Sequence, residues 1–236
     1  MLKKIQRFDD AIIERVSKLH KPALNKIFKF YTNLGNAGII WFLITIPFFF
    51  IEMRRIVAIN MVIGLSMTHV IGEIFIKHIV CRERPCHRID DSQQIIEKPK
   101  YYSFPSGHTA ASFCMVAVSM MRCEWYIWLP ILFLAVMMGF SRVYLMVHYF
   151  TDVFVGMIIG LISGRLSVSL VNYGYYNLAV KIARNPDVLK LIQKGGAMPI
   201  THTHMISEAI IWAVIAVVGL LLLYYFHRKN NRNDAQ

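Results

Sequence analysis

The sequence predicts an all-α fold: a polytopic transmembrane helical bundle of about six spans, led by an N-terminal amphipathic interfacial helix. Three observations predict it. Hydrophobic residues make up 56% of the 236, and the mean hydropathy is +0.46. They gather into blocks near the ~20 residues that a helix needs to cross a bilayer. Charged residues are 17% of the chain and collect between those blocks, below the roughly 25% of soluble domains. In lipid each segment must satisfy its own backbone hydrogen bonds, and helices do so.

The elements follow in order. Over 5–19, Ile5, Phe8, Ile12, Val16 and Leu19 recur at helical spacing with charges on the opposite face, which predicts a helix lying in the membrane interface. Pro22 interrupts it, and a segment then leads to a turn near Gly35. The first span is expected over about 39–51, stopped by Arg54 and Arg55, and the second over about 56–80. A polar loop, 81–104, follows. The third span opens at the Pro-Ser-Gly turn and runs to Met121, the fourth over about 125–143, and the fifth over about 149–171. Residues 172–204 read as a polar, basic stretch, with His202 and His204 as exposed loop histidines, and a sixth span is expected over about 205–226 before a polar tail.

The net charge is +12. Basic residues broken up by apolar spans read as headgroup contacts, not as a nucleic-acid module. The cysteines, Cys81, Cys86, Cys114 and Cys123, form no CxxC. Cys81 and Cys86 flank a loop and can pair in an oxidising compartment, but two free thiols are the preferred reading. The basic N-terminus has no apolar core of a cleavable signal peptide. No carboxylate cluster is available for a metal, and no cofactor is expected.

With the spans alternating, the end of the second, the start of the third, the end of the fourth and the start of the fifth share one membrane face. Those four places hold Lys77, Arg84 and Pro85; Pro105, Ser106, Gly107 and His108; and Ser141, Arg142, His148 and Asp152. Ionisable groups that converge at a membrane edge mark a candidate site. Two arginines and a lysine suit a phosphoryl group and its transition-state charge. The Pro-Ser-Gly-His turn opens a helix whose free N–H groups favour an anion, with the Ser106 hydroxyl as a further donor. His148 and Asp152, four apart, are expected on one helix face. Asp152 then accepts from one ring nitrogen and orients the other for attack. His108 is placed to protonate the leaving oxygen. Glu73, one turn before Lys77, can pair with it and tune it, or else belong to a solvated or lipid-edge face.

At these residues the chain resembles the type 2 phosphatidic acid phosphatase (PAP2) family. KHIVCRERP (77–85), PSGH (105–108) and SRVYLMVHYFTD (141–152) look like its three motifs, complete and in order. The resemblance implies that Lys77, Arg84, Ser106, Gly107 and Arg142 bind phosphate. It implies that His148 is the nucleophile that becomes phosphohistidine, with Asp152 its partner and His108 the general acid, and that water completes the reaction without a metal. Family members commonly carry Pro where this chain has Glu83, which bears on headgroup preference. The organisation expected is an interfacial segment (1–35), a PAP2-like catalytic membrane core (36–172), and a basic loop, extra span and tail (173–236).

A site at the bilayer edge meets lipid headgroups, so the expected substrate is a lipid phosphate. Undecaprenyl diphosphate comes first, then phosphatidic acid and phosphatidylglycerophosphate. The other readings are a transferase passing the phosphate to a second lipid, and a non-catalytic scaffold or transporter. Setting aside Lys77, Arg84 and Arg142, the site's face carries fifteen Lys or Arg against eight opposite, which by the positive-inside rule makes it cytoplasmic. Bacterial relatives of this kind work at the outer face of the cell membrane, and the outer face is the expectation adopted.

Overall fold

The structure is a computed structural model that describes residues 2–88, 95–99 and 102–183. The expected sixth span, the tail, His202, His204 and most of the basic stretch lie outside the described residues. The helices are α1 (Leu2–Ser17), α2 (Pro22–Leu34), α3 (Ile39–Phe50), α4 (Arg55–Thr68), α5 (Lys77–Val80), α6 (Gly107–Arg122), α7 (Trp125–Tyr144) and α8 (Phe150–Ala183). A π-helical stretch, His69–Ile76, joins α4 to α5. Among the described residues there is no strand.

Three helical stretches are long and apolar enough to cross a membrane: Glu52–Arg88, Trp125–Tyr144 and Phe150–Leu178. The pair α2 and α3, bent by 52°, passes the same test jointly. The described residues therefore hold three spans, or four if the bent pair is one, where the sequence predicts five. Two local causes account for the difference. The first expected span is a helix of 12 residues containing Pro47, set off from α2 by the Asn36–Gly38 turn with Gly38 at φ +71°. The third, α6, has 16 residues, and most of those between Thr109 and Ser119 are buried by protein. An enclosed helix does not need a lipid-facing surface, so α6 tolerates Ser112 and Ser119. Their hydroxyls donate to the carbonyls of His108 (2.7 Å) and Val116 (3.0 Å). At the other end, α8 continues past Val171 into residues read from sequence as a polar stretch. Pro22 does more than interrupt α1: it occupies the first turn of α2, where its missing N–H has no helical partner to lose.

The chain divides into two compact units, Met1–Phe42 with Ile59–Asn172 and Leu43–Ala58 with Tyr173–Gln236. In the second, Arg55 Nε donates to the carbonyl of Phe49 at 3.2 Å and ties the corner after α3. All the candidate site residues belong to the first unit. There α6 and α8 meet through a stripe of small residues on α8: Gly156, Gly160 and Gly164. A Cβ at Gly156 would stand 2.6 Å from the Ser106 carbonyl oxygen, and one at Gly164 2.7 Å from that of Cys114. A Cβ at Gly160 would collide with the Ala110 carbonyl. Small residues four apart let helix backbones approach closely in a membrane; the span-by-span reading of the sequence misses this signal.

A buried cluster of Phe28, Cys86, Tyr144, Leu145 and Val147 lies behind the site, with Val16 and Leu24 packed against it. Tyr144 is its anchor: its hydroxyl donates to Asn25 Oδ1 (2.7 Å), and its carbonyl lies 2.8 Å from His20 Nε2. The α1–α2 segment is thereby fastened to the end of α7. All four cysteines are free thiols, Cys81 exposed and Cys86 buried.

Candidate active site

The four helix ends converge. Lys77 opens α5, Arg84 precedes the turn Pro85–Arg88, Ser106 is the N-cap of α6, and Gly107 and His108 begin that helix. Arg142 is in the last turn of α7, and Asp152 in the first turn of α8.

His148 is not on a helix, contrary to the expectation from its spacing to Asp152. It lies in the connection between α7 and α8, two residues before α8 begins. That connection turns sharply, with Met146 in the left-handed region at φ +56°. Such a conformation costs about 1–3 kcal/mol and persists where surrounding contacts enforce it. Here the enforcing contacts are the buried Leu145 and Val147 side chains and the Arg142 carbonyl, which accepts from both Val147 N and His148 N at 3.2 Å. The five residues between Arg142 and His148 form this turn.

The ring of His148 is 2% exposed. Its Nε2 lies 3.1 Å from Arg84 Nη1, and its Nδ1 lies 2.6 Å from the Ser103 carbonyl oxygen. A guanidinium can only donate. Nε2 therefore accepts, and Nδ1 carries the proton that it gives to Ser103. This tautomer leaves a nucleophilic lone pair on Nε2, held by Arg84. Asp152 Oδ2 is 3.7 Å from Nδ1, outside hydrogen-bonding range. The position expected of Asp152 beside Nδ1 is thus occupied by a backbone carbonyl, and Asp152 lies one step back. Its carboxylate accepts from the Ser103 hydroxyl, from Tyr149 N (2.8 Å) and from Arg82 Nη1 (2.6 Å). The Tyr149 contact is a capping bond at the start of α8, so one side chain caps the helix and holds Ser103 against His148.

The cations surround the ring. Lys77, Arg84 and Arg142 are each 5% exposed. Burial first, then the charges of Arg84, Arg142 and Lys77, hold the His148 imidazole well below its ordinary pKa of 6.5, so it is neutral near pH 7. Lys77 Nζ is bound by both oxygens of Glu73, at 2.7 and 2.6 Å, as the sequence spacing allows. Arg142 donates to the Thr32 hydroxyl, while its buried Nε has no hydrogen-bond partner among the described residues. Buried cations grouped in this way favour an anion between them. At the α6 N-terminus the Ser106 hydroxyl bonds Thr109 Oγ1 at 2.9 Å, within its own helix turn. A Cβ at Gly107 would run into the Glu73 carboxylate. His108 lies within electrostatic reach of Arg142 and His148, and its Nε2 is 3.2 Å from Asn36 Oδ1. A Cβ at Gly35 would stand 2.6 Å from the His108 ring, so a side chain there would displace that ring. Among the described residues no group of three or more His, Cys, Asp or Glu is arranged to hold a metal ion.

The sequence reading misses Ser103, Arg82, Asp9, Thr32 and Asn36, each bonded to a candidate residue or one step from it. Only Arg82 carried a signal, as a second arginine beside Arg84.

This arrangement has counterparts. The crystal structure of Aquifex aeolicus LpxE superposes with a TM-score of 0.60 at 28% identity, covering 67% of this chain and 93% of that one. The PAP2-type phosphatidylglycerolphosphate phosphatase of Bacillus subtilis shares the fold, with a TM-score of 0.60 at 24% identity over 72% of this chain and 87% of that one. An undecaprenyl-diphosphatase of Sulfolobus acidocaldarius is 27% identical over 151 residues, 64% of this chain and 72% of the relative. Phosphatidylglycerophosphatase B of Bacillus subtilis is 26% identical over 170 residues, 67% of this chain and 80% of the relative. The model of the PAP2 superfamily matches residues 55–176, more than half of the sequence and every candidate site residue, and the chain belongs to that superfamily.

Proposed function

We propose that the chain hydrolyses a lipid phosphate or diphosphate through a phosphohistidine at His148, with undecaprenyl diphosphate the first candidate substrate. The family makes it a membrane phosphatase acting on phosphate esters. The observation that carries the finer reading is the neutral, buried His148, its Nε2 lone pair facing Arg84 and its Nδ1 proton on Ser103. The undecaprenyl diphosphate preference rests on the Sulfolobus relative's name; phosphatidic acid and phosphatidylglycerophosphate follow.

In this reading Lys77, Arg84, Arg142 and the α6 N-terminal amides at Gly107 and His108 bind the phosphoryl oxygens, and Ser106 holds that helix start in shape. Arg84 transfers its hydrogen bond from Nε2 to a phosphate oxygen, which frees the lone pair. Nε2 attacks phosphorus, the bond from phosphorus to the lipid-side oxygen breaks, and His108, entering as the imidazolium, protonates that oxygen and becomes neutral. Water then gives a proton to His108 and attacks the phosphohistidine, releasing inorganic phosphate and restoring His148. The buried cations offset the charge that develops on the equatorial oxygens. The exposed Lys3, Lys4, Arg7 and Arg15 of α1, with exposed Phe8 and Ile5, support a position in the lipid interface. The site is proposed at the outer face of the cell membrane; cysteine labelling at engineered positions in 88–98 tests this.

Purified protein in detergent, given a panel of lipid phosphates in EDTA, tests the main reading. Phosphate release is expected from at least one lipid, with a fall of about 10⁴-fold or more in His148→Ala, because the covalent step loses its nucleophile. Release that survives this substitution, or that needs a divalent metal, refutes the mechanism. Transfer of phosphate to a second lipid would identify a transferase.

A further inference from the structure

We propose that Asp9, on the N-terminal helix α1, is a positioning residue for His148, acting through Arg82 and Asp152. The inference rests on the reading of His148 as the nucleophile and lies outside the segment that the family model matches.

Asp9 is fully buried, although α1 is otherwise largely exposed and reads from sequence as a surface helix. A carboxylate is buried only where it is paired and hydrogen-bonded, and Asp9 is both. Its Oδ2 accepts from Arg82 Nη2 at 2.6 Å and from the Thr151 hydroxyl, and its Oδ1 accepts from Thr151 N at 3.0 Å. Gln6, one turn earlier, adds a second acceptor for Arg82 Nη2 at 2.9 Å. The other edge of the same guanidinium, Nη1, serves Asp152 Oδ1 at 2.6 Å and the Thr151 hydroxyl at 2.8 Å. The guanidinium carbon also lies 3.9 Å from the centre of the Tyr149 ring, next to His148 in the chain. From Asp152 the path continues through the Ser103 hydroxyl, and Ser103 N donates to the Arg82 carbonyl at 2.8 Å. The Ser103 carbonyl then holds His148 Nδ1.

Two consequences follow. One arginine bridges two buried carboxylates, so the group carries a net negative charge on the Nδ1 side of the ring. When Nε2 bonds phosphorus, the ring keeps its Nδ1 proton and becomes cationic, and negative charge on that side stabilises the change. Asp9 also grips Thr151, the residue before Asp152, and so sets where the α8 start presents its carboxylate. Neither effect touches the phosphate, which the three cations on the other side hold. Loss of Asp9 therefore slows formation of the phosphoenzyme and leaves lipid binding intact.

The test uses the full chain in detergent and measures kcat, KM, the single-turnover rate of phosphoenzyme formation and the melting temperature. Asp9→Asn keeps the shape and acceptor at Oδ1 and removes the charge. The expected result is a fall of about ten-fold in kcat and in the single-turnover rate, with KM within about two-fold, in protein that still folds. Arg82→Gln should show the same split, and the double variant should be no slower than Arg82→Gln alone, because both changes interrupt one path. Should Asp9→Asn fail to fold, Gln6→Ala, which removes one bond to Arg82, is expected to lower kcat two- to five-fold at unchanged KM. Unchanged kcat in the folded variant, a change confined to KM, or losses that multiply in the double variant overturn the proposal. A wild-type chain that releases no phosphate from any lipid overturns the enzymatic reading and this inference together. An active wild type with fully active Asp9→Asn overturns this inference alone.

Discussion

Gly156→Ala isolates the contribution of helix packing to the site. The added Cβ would stand 2.6 Å from the Ser106 carbonyl oxygen, where ordinary contact begins at 3.4 Å. The obstacle is backbone at the start of α6, so no side chain can rotate away. The helices must part by about 0.8 Å at this level. Ser106 N donates to the Asp152 carbonyl at 3.1 Å, and parting by that much takes this bond beyond hydrogen-bonding range. It is a direct backbone tie between the α6 N-terminus and the start of α8, so the amides proposed to bind phosphate and the groups that hold His148 would move apart. A misplacement of about 1 Å at a reacting centre costs on the order of 10²-fold in rate. Stability should suffer less: overpacking costs about 1–3 kcal/mol, offset by roughly 1 kcal/mol from replacing Gly with Ala inside a helix. The assay is phosphate release from the best lipid in detergent, beside a melting curve. The expected result is folded protein with activity down about 100-fold. Gly174→Ala is the control, since a Cβ there meets nothing within 4 Å, and it should match wild type. Full activity in Gly156→Ala would show that the site tolerates displacement of α8 from α6 and would refute the coupling of helix packing to activity.

Further outcomes are expected at His148 and at Glu73. Because His148 is held well below 6.5 by burial and by Arg84, Arg142 and Lys77, the acid limb of kcat/KM, set by protonation of the nucleophile, should lie below pH 6.5. The bound phosphate supplies negative charge, so the acid limb of kcat should lie at higher pH than that of kcat/KM. The same shift makes stability fall as pH drops below 6.5, because the unfolded ring takes up a proton that the folded ring refuses. An acid limb of kcat/KM at or above pH 6.5 would contradict the assignment. Glu73→Gln, which replaces the carboxylate that grips Lys77 Nζ at 2.7 and 2.6 Å, should lower kcat/KM about ten-fold by leaving the ammonium without its charged partner. Unchanged kinetics would mean that the pair has no part in the reaction.

The sequence determined what is local or periodic. Apolar blocks of spanning length made the chain a helical membrane protein, because lipid leaves the backbone no other partner. The three motifs were legible because each lies within a dozen residues and pairs a residue type with one chemistry. The Glu73–Lys77 pair was legible for the same reason, one helical turn apart. Tertiary structure alone decided what joins residues remote in the chain. It took His148 off the helix and gave its Nδ1 to the Ser103 carbonyl, 45 residues away. It buried Asp9 against Thr151, 142 residues away, on a helix whose pattern reads as a surface element. It enclosed α6 so that a helix of 16 residues suffices. Backbone carbonyls carry no sequence signal, and a charged residue on an amphipathic helix looks the same whether water or a buried arginine faces it. Which of the two faces it depends on the packing of the other helices.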